Sequence, residues 1–481
     1  MNIWQSNQRF GTTTTGLVLS LAFTCFSTGA SADIITVDDD APADFSDVQP
    51  AIYAALEGDI ILIRPGDYRG ADIIGKSLSL VGAGSALVKM NYVPVIHIRN
   101  LGPNQRVYVS GVTAMTGGFQ ETPILGEDNQ GLIVISDVLT CSARFSYPEG
   151  GNSFALCSKV FLSRLTYQTD GYHSGIPGGA GFGIALGSTC AITNSFATGD
   201  EGAPGINSGA DKYSGYAGGG GAGVHESRLW CARTTFKGGP GGDCDWNPAF
   251  CACYPLSGGD GGFALGVTGS TSEVIIADNG THLLLGASGG DGLENPCVPG
   301  CWNYGGDGGA GIWLDSGAKT PKRIVVSNTN VYGGLGGDSG TQPGQDGEQY
   351  KGDQSRFEFP VDPIPTFEVK GDFIAGGTGE LNVFGTQGDF AFLIVSDAFD
   401  FQEIANTGYF PLIAVPGSFW VFFPAGTIPA GGKLTTPFTI PNLSGLEGFA
   451  ASLQSFVVPP FGDTRSPQLS NFDTFTIHED W

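Results

Sequence analysis

Glycine content is the feature that most restricts how this chain can fold. Glycine supplies 78 of the 481 residues, and 46 of these lie in the 177 residues of 171–347. Each glycine inside a helix costs about 1 kcal/mol relative to alanine, so long helices are disfavoured. No strict Gly-X-Y period is present, which excludes collagen. Because hydrophobic residues still make up 41% of the chain, we expect a folded, all-β protein.

An internal repeat runs through the glycine-rich region. Its related motifs begin at Gly181, Gly221, Gly261 and Gly309, with spacings of 40, 40 and 48 residues. The loops 241–262 and 289–309 also resemble each other, since both contain Gly-Gly-Asp, Asn-Pro and paired cysteines. Repeats of this length are typical of solenoids that form one coil per unit. We therefore expect the loops of 171–347 to stack on one side, with glycine serving close backbone approach and positive φ.

The segment after residue 33 has the pattern of a capped solenoid. Ile34–Val37 and Ile60–Ile63 are predicted strands, and Ser46 is predicted to cap a helix that runs to about Leu56. The acidic run before this helix, the strand-turn GDIILIRPGDY and the run GKSLSLVG resemble the N-terminal cap and first coils of exported bacterial β-helix proteins of the pectin-lyase-like superfamily. The resemblance implies a right-handed parallel β-helix with an N-terminal capping helix.

Composition divides the chain into four segments. Residues 1–32 are interpreted as a signal peptide, because Arg9 is their only charge and a small-residue cleavage pattern ends them. Residues 33–345 are predicted to form the β-helix and 346–366 a polar linker. Residues 367–481, which are rich in Phe and free of Cys, are predicted to form an antiparallel β-sandwich. Part of this last segment resembles C-terminal modules of exported bacterial β-helix proteins.

Charge and hydropathy restrict the partners and the compartment. The net charge of -25 argues against a nucleic-acid-binding surface. The apolar run Leu17–Phe23 is too short to span a bilayer, and no later segment is predicted to span one. The sequence therefore predicts a protein that is secreted or held at the cell surface, with a polysaccharide or the extracellular matrix as partner.

Nine cysteines follow the predicted signal peptide, and in an exported protein disulfides are the default expectation. The disulfide candidates are Cys141, Cys157, Cys190, Cys231, Cys244, Cys251, Cys253, Cys297 and Cys301. The first four lie at strand positions, where stacking as small apolar residues is the alternative to pairing between coils. Zinc binding is the alternative for the last five.

The resemblance to the pectin-lyase-like superfamily raises the question of polysaccharide cleavage. The Asn-Thr-Asp, Gly-Asp-Asp, Gly-His-Gly and Arg-Ile-Lys motifs of its polygalacturonase-type members are absent, as is the Arg-x-Pro-x-x-Arg run of pectate lyases. Weak acid–base candidates are Asp170, His173, His225 and Glu226, for which solvated loop residues are the alternative interpretation. The basic residues Lys319, Lys322 and Arg323 are interpreted as a solvated turn.

The repeated loops carry two further sets of candidates. Calcium prefers carboxylate oxygens, and its candidate ligands are Asp243, Asp260, Asp291 and Asp307. Turn chemistry is the alternative explanation for these aspartates. Exposed aromatic rings can stack on sugars, and the candidates are Trp246, Tyr254, Trp302 and Tyr304. Packing over neighbouring loops is their alternative role.

Two classes of function remain open. The first is a non-catalytic extracellular protein that binds glycans or matrix through its stacked loops. The second is a polysaccharide lyase or glycoside hydrolase whose site the sequence motifs do not reveal, an inference from the fold alone. A cleft with converging ionisable groups on one face of the β-helix is the feature that would favour the second class.

Overall fold

The computed structural model describes most of the chain after residue 31. The described residues are 32–90, 94–116, 122–142, 151–169, 178–206, 214–245, 257–292, 304–315, 321–339, 342–405, 408–442 and 447–478. The predicted signal peptide lies outside them, apart from Ala32. No helix in this part of the chain is long and apolar enough to cross a membrane.

Short strands dominate the chain up to residue 358. The elements before the glycine-rich region are β1 (Ile34–Val37), α1 (Val48–Ala54), β2 (Ile60–Ile63), β3 (Asp67–Tyr68), β4 (Ala71–Ile74), β5 (Leu78–Met90), β6 (Ile96–Arg99), β7 (Arg106–Thr116), β8 (Ile124–Ser142) and β9 (Asn152–Thr169). Those that follow are β10 (Phe182–Ala185), β11 (Thr189–Thr193), β12 (Phe196–Thr198), β13 (Gly205–Ile206), β14 (Ala222–His225), β15 (Arg228–Ala232), β16 (Thr235–Lys237), β17 (Cys244–Asp245), β18 (Leu265–Thr268), β19 (Glu273–Ala277), β20 (Leu283–Leu285), β21 (Ile312–Leu314), β22 (Arg323–Ser327), β23 (Asn330–Tyr332), β24 (Tyr350–Lys351) and β25 (Phe357–Glu358).

These strands form a parallel β-helix with three faces. In the glycine-rich region the first face contains β10, β14, β18, β21 and β24, the second contains β11, β15, β19, β22 and β25, and the third contains β12, β16, β20 and β23. Each strand pairs in parallel with the same face of the next coil, as β15 does with β19. The long strand β9 bends around two corners, since it pairs with β10, β11 and β12 in turn. The all-β fold with a parallel β-helix is therefore confirmed.

The interior of the coils is a continuous apolar core. On the second face, Val160, Cys190, Leu229, Val274 and Ile324 occupy matching positions of successive coils. All five are almost completely buried. Burying one large aliphatic side chain contributes roughly 1.5–3 kcal/mol, so each coil gains its stability from the coils that cover it.

The capping helix is present but differs in its bounds from the prediction. Asp47, rather than Ser46, is the N-cap, and its carboxylate accepts the N–H of Val48. The helix ends at Ala54 instead of about Leu56. Its buried residues, Val48, Ala51 and Ile52, join the same core as the first strands. The helix thus covers apolar side chains that the first coil would otherwise expose.

The repeated glycine loops form a two-layer slab, which we call the glycine slab. One layer, the outgoing row, consists of the segments that leave the third face: residues 199–204, 238–244, 286–292 and 333–339. The other layer, the returning row, consists of the segments that lead to the first face: residues 178–181, 215–221, 257–263, 304–310 and 342–349. Within a row the backbone hydrogen bonds recur at every third residue, as from Gly238 to Leu285 and from Gly241 to Ser288. This period is that of polyproline II backbone, which makes no internal hydrogen bonds.

Glycine is required in the slab because the two rows also bond to each other. Gly262 N–H donates to the Gly239 carbonyl, and Gly259 N–H donates to that of Gly242, both at 2.9 Å. A Cβ on Gly262 would overlap the carbonyl oxygen of Gly219. The predicted close backbone approach is therefore confirmed. Positive φ is not the reason, since the positive-φ glycines of this region, such as Gly187 and Gly269, lie outside the slab.

The parallel sheet continues into the segment predicted to be a linker. Strands β24 and β25 pair with β21 and β22 and so add to the last coil. A 3-10 turn at Gln354–Arg356 separates the two strands.

The C-terminal residues form two antiparallel sheets. Their strands are β26 (Thr366–Gly371), β27 (Thr378–Phe384), β28 (Phe390–Gln402), β29 (Leu412–Thr427), β30 (Lys433–Thr439), β31 (Ala450–Val458) and β32 (Gln468–Thr476). The sheets have the orders β26-β27-β30 and β29-β28-β31-β32. A single apolar cluster contains Phe367 and Val383 from the first sheet together with Leu393 and Phe475 from the second. The two sheets therefore pack face to face around one core.

The four-stranded sheet also packs against the second face of the β-helix. Outward-facing residues of that face, including Phe161 and Trp230, share an apolar cluster with Phe399 and Phe472. We call this contact the seam. It buries the sheet on both sides, which explains why the C-terminal segment is so rich in aromatic residues.

Strand β32 fastens the seam across several coils. It runs along a column of buried hydroxyl residues, one per coil, formed by Ser110, Ser136, Ser163 and Thr193. The side-chain contacts are Asn471 to Thr193 (2.7 Å), Asp473 to Ser163, Thr476 to Ser136 (3.4 Å) and His478 to Ser110 (3.4 Å). Asp473 is fully buried and is also paired with Arg164 at 2.6 Å. Its carboxylate is thus compensated by hydrogen bonds and by one opposite charge.

Substituting a slab glycine tests the close-packing argument. We expect Gly262→Ala to lower the free energy of unfolding by roughly 2–4 kcal/mol, because the added methyl forces apart two successive segments of the returning row. Gly223→Ala is the matched control, since the nearest atom to its Cβ is 4.0 Å away. Urea unfolding of both variants measures the difference, and equal stabilities would contradict the slab geometry.

The buried His478 predicts a pH dependence of stability. Burial lowers the pKa of His478, which the charge of Asp137 opposes and that of Arg164 reinforces. The neutral imidazole contributes fully to the free energy of unfolding above the ordinary histidine pKa of about 6.5. This contribution is lost as the pH falls through the lowered pKa, because the folded state disfavours the protonated imidazole. We expect His478→Gln to flatten the fall in unfolding free energy between about pH 7 and pH 5. A fall that is equally steep in His478→Gln and in wild type would contradict this prediction.

Candidate ligand-binding cleft

A cleft of about 440 Å³ opens at the seam beside the second face of the β-helix. We call it the seam cleft. Its β-helix wall includes Arg228, Trp230, Glu273, Lys322 and Arg323. Its other wall is formed by residues 403–405 and 408–411 of the C-terminal segment. Binding pockets for small molecules commonly measure about 300–1,000 Å³ and combine aromatic surface with a few polar groups. The seam cleft meets both conditions.

Register between coils brings the charged residues of the cleft together. Arg228 lies opposite Glu273, and Glu273 lies opposite Arg323, on three successive coils. Trp230 lies opposite Ile275 in the same way. Alternate residues of a strand share one face, so the charged column and the Trp230 column run side by side. Both columns point away from the β-helix core and into the seam.

Glu273 is the centre of an ion-pair network. Its carboxylate lies 3.4 Å from Lys322 Nζ and 3.9 Å from both Arg228 Nε and Arg323 NH1. Arg228 NH1 also contacts the carboxylate of Glu403 at 3.1 Å. The side chain of Glu273 is only 15% exposed, whereas Arg228 is 45% and Lys322 is 59% exposed. An incoming ligand therefore meets the cationic groups before it reaches Glu273.

Glu358 and Tyr409 extend the network. Arg323 donates two hydrogen bonds to the Glu358 carboxylate, both at 2.9 Å. The hydroxyl of Tyr409 donates to Glu358 Oε1 at 2.7 Å, and Arg323 lies over the Tyr409 ring. Burial, followed by the hydrogen bond and charge of Glu358, raises the pKa of Tyr409 to about 12, although Arg323 opposes the shift. Tyr409 is thus a neutral hydrogen-bond donor at any physiological pH.

Trp230 supplies an aromatic surface with an unused donor. Its ring stacks on Phe401, with centroids 4.9 Å apart. The side chain lines the cleft, and its buried indole N–H has no acceptor among the described residues. Buried polar groups in folded proteins almost always have partners, so an exception beside a cleft indicates a place for a ligand or a water.

The predicted acid–base residues are not part of this cleft. His225 lies at the end of β14 on the first face, where Nδ1 is 2.8 Å from Thr268 Oγ1. Glu226 follows it at a corner with a φ of 47°. Asp170 and His173 lie outside the described residues. The structure therefore brings neither His225 nor Glu226 to the seam.

The candidate calcium ligands form two separate columns on the slab. Asp243 and Asp291 belong to the outgoing row, whereas Asp260 and Asp307 belong to the returning row. The Asp243 carboxylate accepts the N–H of Asp291 at 2.8 Å, and Asp260 accepts that of Asp307 at 2.9 Å. No group of three acidic, His or Cys side chains in the described residues is arranged to hold a metal ion. Each carboxylate instead satisfies a backbone donor that the slab leaves unpaired, which favours the turn-chemistry interpretation.

The predicted cysteine and aromatic candidates are only partly described. Those outside the described residues are Cys251, Cys253, Cys297, Cys301, Trp246, Tyr254 and Trp302. The described cysteines are Cys141, Cys157, Cys190, Cys231 and Cys244. Of these, Cys157, Cys190 and Cys231 have free thiols, so the expected disulfides are absent at these three positions. Cys190 and Cys231 are buried in the β-helix core, which raises the pKa of both thiols, so they serve as small apolar residues. Tyr304 is 41% exposed and lies on the slab, away from the cleft.

The interpretation of Lys319, Lys322 and Arg323 as a solvated turn holds only in part. Lys319 lies outside the described residues. Lys322 is exposed in a bend, whereas Arg323 begins β22 and is only partly exposed. Both face the seam cleft and contact Glu273. The sequence carried a signal for this site, because Arg228, Glu273 and Arg323 begin the second strands of successive repeat units. That signal becomes readable only once the coil register is known.

Comparison with known proteins adds little to this description. No family model matches the chain, and no curated protein matches it. Among solved structures, it is similar to the enzymatically active domain of tailspike protein 2 from bacteriophage CBA120. The identity is 10% and the TM-score is 0.30, with 93% of this chain and 76% of that chain covered. Both values are low, so the β-helix assignment rests on the strand register given above.

The contact between Glu358 and Tyr409 can be tested by titration. We expect Glu358→Gln to lower the pKa of Tyr409 from about 12 toward, but not to, its ordinary value of about 10, because burial remains. Ultraviolet difference titration against wild type measures the tyrosinate formed, and circular dichroism checks that the fold persists. Glu348→Gln, on the slab, is the control. An unchanged tyrosinate curve for Glu358→Gln would contradict this network.

Proposed function

We propose that the protein binds a glycan in the seam cleft. The observation that carries the proposal is the unpartnered indole N–H of Trp230, which lies beside three partly exposed cationic side chains in a cleft of about 440 Å³. Sugar hydroxyls accept hydrogen bonds from indole and guanidinium groups and donate them to carboxylates. Trp230, Arg228 and Glu273 supply these three kinds of group within one cleft.

Binding without catalysis is the better-supported form of this function. Glu273, Glu358 and Glu403 are each engaged by at least one cation, and Tyr409 is held neutral by its surroundings. Such groups orient a ligand, whereas hydrolysis needs a carboxylic acid free to protonate the leaving oxygen.

Glycoside hydrolysis is the second candidate, and one contact favours it. Glu273 and Glu403 both contact the guanidinium of Arg228, at 3.9 and 3.1 Å, which brings two carboxylates to one side chain. Hydrolases use two carboxyl groups roughly 5–10 Å apart. A cleft with converging ionisable groups on one face of the β-helix is also the feature that was expected to favour an enzyme.

The cellular setting belongs to the same proposal. The signal-peptide pattern of residues 1–32 supports export to the cell surface or the medium, where polysaccharide or matrix is the available partner. The resemblance of the N-terminal coils supports membership of the pectin-lyase-like superfamily. The net charge of -25 makes the cationic rim of the cleft a local exception.

Binding to a polysaccharide panel tests the proposal. We expect Trp230→Phe to weaken binding of the glycan found in this panel about fivefold, because one neutral hydrogen-bond donor is lost. Arg228→Gln should weaken the same binding about tenfold or more. Calorimetric titration of the mature protein measures both effects. Trp313→Phe is the matched control, because Trp313 stacks on Phe263 away from the cleft.

The same panel separates binding from catalysis. Release of reducing ends that is lost in Glu273→Gln and in Glu403→Gln would establish the hydrolase. Binding without product release supports the first form. Absence of binding across the panel, or equal affinities of Trp230→Phe and wild type, would overturn the assignment of the seam cleft.

A further inference from the structure

A second cavity lies where the three-stranded C-terminal sheet meets the β-helix, at the corner after the second face. We call it the corner cavity; its volume is about 350 Å³. The lining side chains on which its chemistry depends are Asp278, Asn279, Asn328, Thr366, Phe384 and Lys433. It shares no residue with the seam cleft. The two sites are therefore structurally independent.

Thr366 gives the corner cavity its most informative feature. Its side chain is 1% exposed, and its hydroxyl has no hydrogen-bond partner in the described part of the chain. Leaving a buried polar group without a partner is destabilising, so folded proteins contain few such groups. Because no described residue bonds to this hydroxyl, water or a ligand is the partner that the cavity can supply.

Three more buried polar atoms of the same region have no partner among the described residues. They are Arg233 NH1, Glu368 Oε2 and Asn382 Nδ2. Thr366 pairs with Phe384, and Glu368 pairs with Asn382, in the register of β26 and β27. Arg233 lies over the Phe384 ring at 4.4 Å and bonds to Glu368. Folded proteins leave few such atoms, so four around one sheet face mark the region as unusual.

The lining points to a neutral ligand. Asp278 is 2% exposed at its side chain, and although burial opposes the shift, hydrogen bonds from His282 lower its pKa, so the carboxylate is ionised. Lys433 provides the opposite charge, and among the described residues it has no carboxylate partner; its ammonium lies 5.8 Å from the Phe384 ring. The carboxylate disfavours an anion and the ammonium a cation. A ligand with hydroxyl groups can accept from Lys433 and donate to Asp278.

The remaining lining residues and the volume of the corner cavity narrow the chemical class of its ligand. The amides of Asn279 and Asn328 can each donate and accept, and the ring of Phe384 offers an apolar contact. A single water needs only about 10–15 Å³, so a cavity of about 350 Å³ admits a larger occupant. Amide, carboxylate, ammonium and hydroxyl groups around an aromatic ring together match the polar and apolar surfaces of a sugar ring.

We propose that the corner cavity binds a neutral, polyhydroxylated ligand of the size of one sugar unit. Thr366 and Lys433 contact its hydroxyl groups, and Asp278 accepts a hydrogen bond from it. This site is separate from the proposed function of the seam cleft and stands on its own observations.

The probes are methyl glycosides of glucose, galactose and N-acetylglucosamine, with galacturonate as the anionic arm. Saturation-transfer NMR and calorimetry are run on the mature protein and on Arg228→Gln, which impairs the seam cleft. We expect at least one neutral glycoside to bind with equal affinity in both proteins. Thr366→Val should weaken that binding about fivefold and Lys433→Met to a similar extent.

The free proteins provide a second measurement. Thr366→Val is nearly isosteric and removes a hydroxyl without a partner in the chain, so we expect its unfolding temperature to equal or exceed that of wild type. Thr439→Val, an exposed position of the same sheet, is the control for both measurements. No binding of any neutral glycoside, which would mean that the cavity holds water only, overturns the proposal. So does preferential binding of galacturonate, or binding that Thr366→Val and Lys433→Met leave unchanged.

Discussion

Backbone hydrogen bonding between successive coils is the interaction on which the rest of this structure depends. On the three faces it takes the form of parallel strand ladders, and beyond them it continues through the glycine slab with a period of three residues. A side chain at the inner slab positions would separate the segments of successive coils, as the contact of Gly262 with Gly219 shows. Because slab and strands belong to the same coils, a change in coil spacing on one side would break bonds on the other. The slab therefore fixes the register that aligns Arg228, Glu273 and Arg323.

The C-terminal sheets convert this regular solenoid into a molecule with clefts. They pack on the second face through aromatic residues, and β32 bonds to one hydroxyl residue on each of several coils. The fully buried Asp473 accepts hydrogen bonds from Arg164 and Asn194, so its loss would take an acceptor from a side chain on each of two coils. The contact is thus specific in register as well as apolar, and it sets the positions of Tyr409 and Thr366 relative to the β-helix.

The sequence predicts the architecture better than the sites. Repeated glycine motifs and the pattern around the capping helix carry local information, and they indicate the coils and the cap correctly. Glu273, the partner of Lys322 and Arg323, lies on the preceding coil, and its distance along the sequence depends on the length of the intervening loop. The residues next to Lys322 and Arg323 in the sequence therefore indicate only a solvated turn. The corner cavity joins Asp278 to Lys433, which no local pattern connects. The column that contains Asp243 and Asp291 shows the opposite case. Its sequence pattern suggests metal ligands, but in the structure the Asp243 carboxylate accepts a backbone N–H.

Both proposed sites lie between the β-helix and the C-terminal segment for a physical reason. The outer surface of a β-helix is a set of ladders in which like positions repeat, and such a surface is nearly flat between its corners. Concave space arises where a second layer meets it imperfectly. Trp230 and Thr366 line these two spaces, and each has a buried polar atom with no partner among the described residues. Replacing either group with an apolar one would cost the free protein little. The packing of the C-terminal segment on the β-helix, rather than the slab, therefore provides the space and the donors on which the proposed recognition depends.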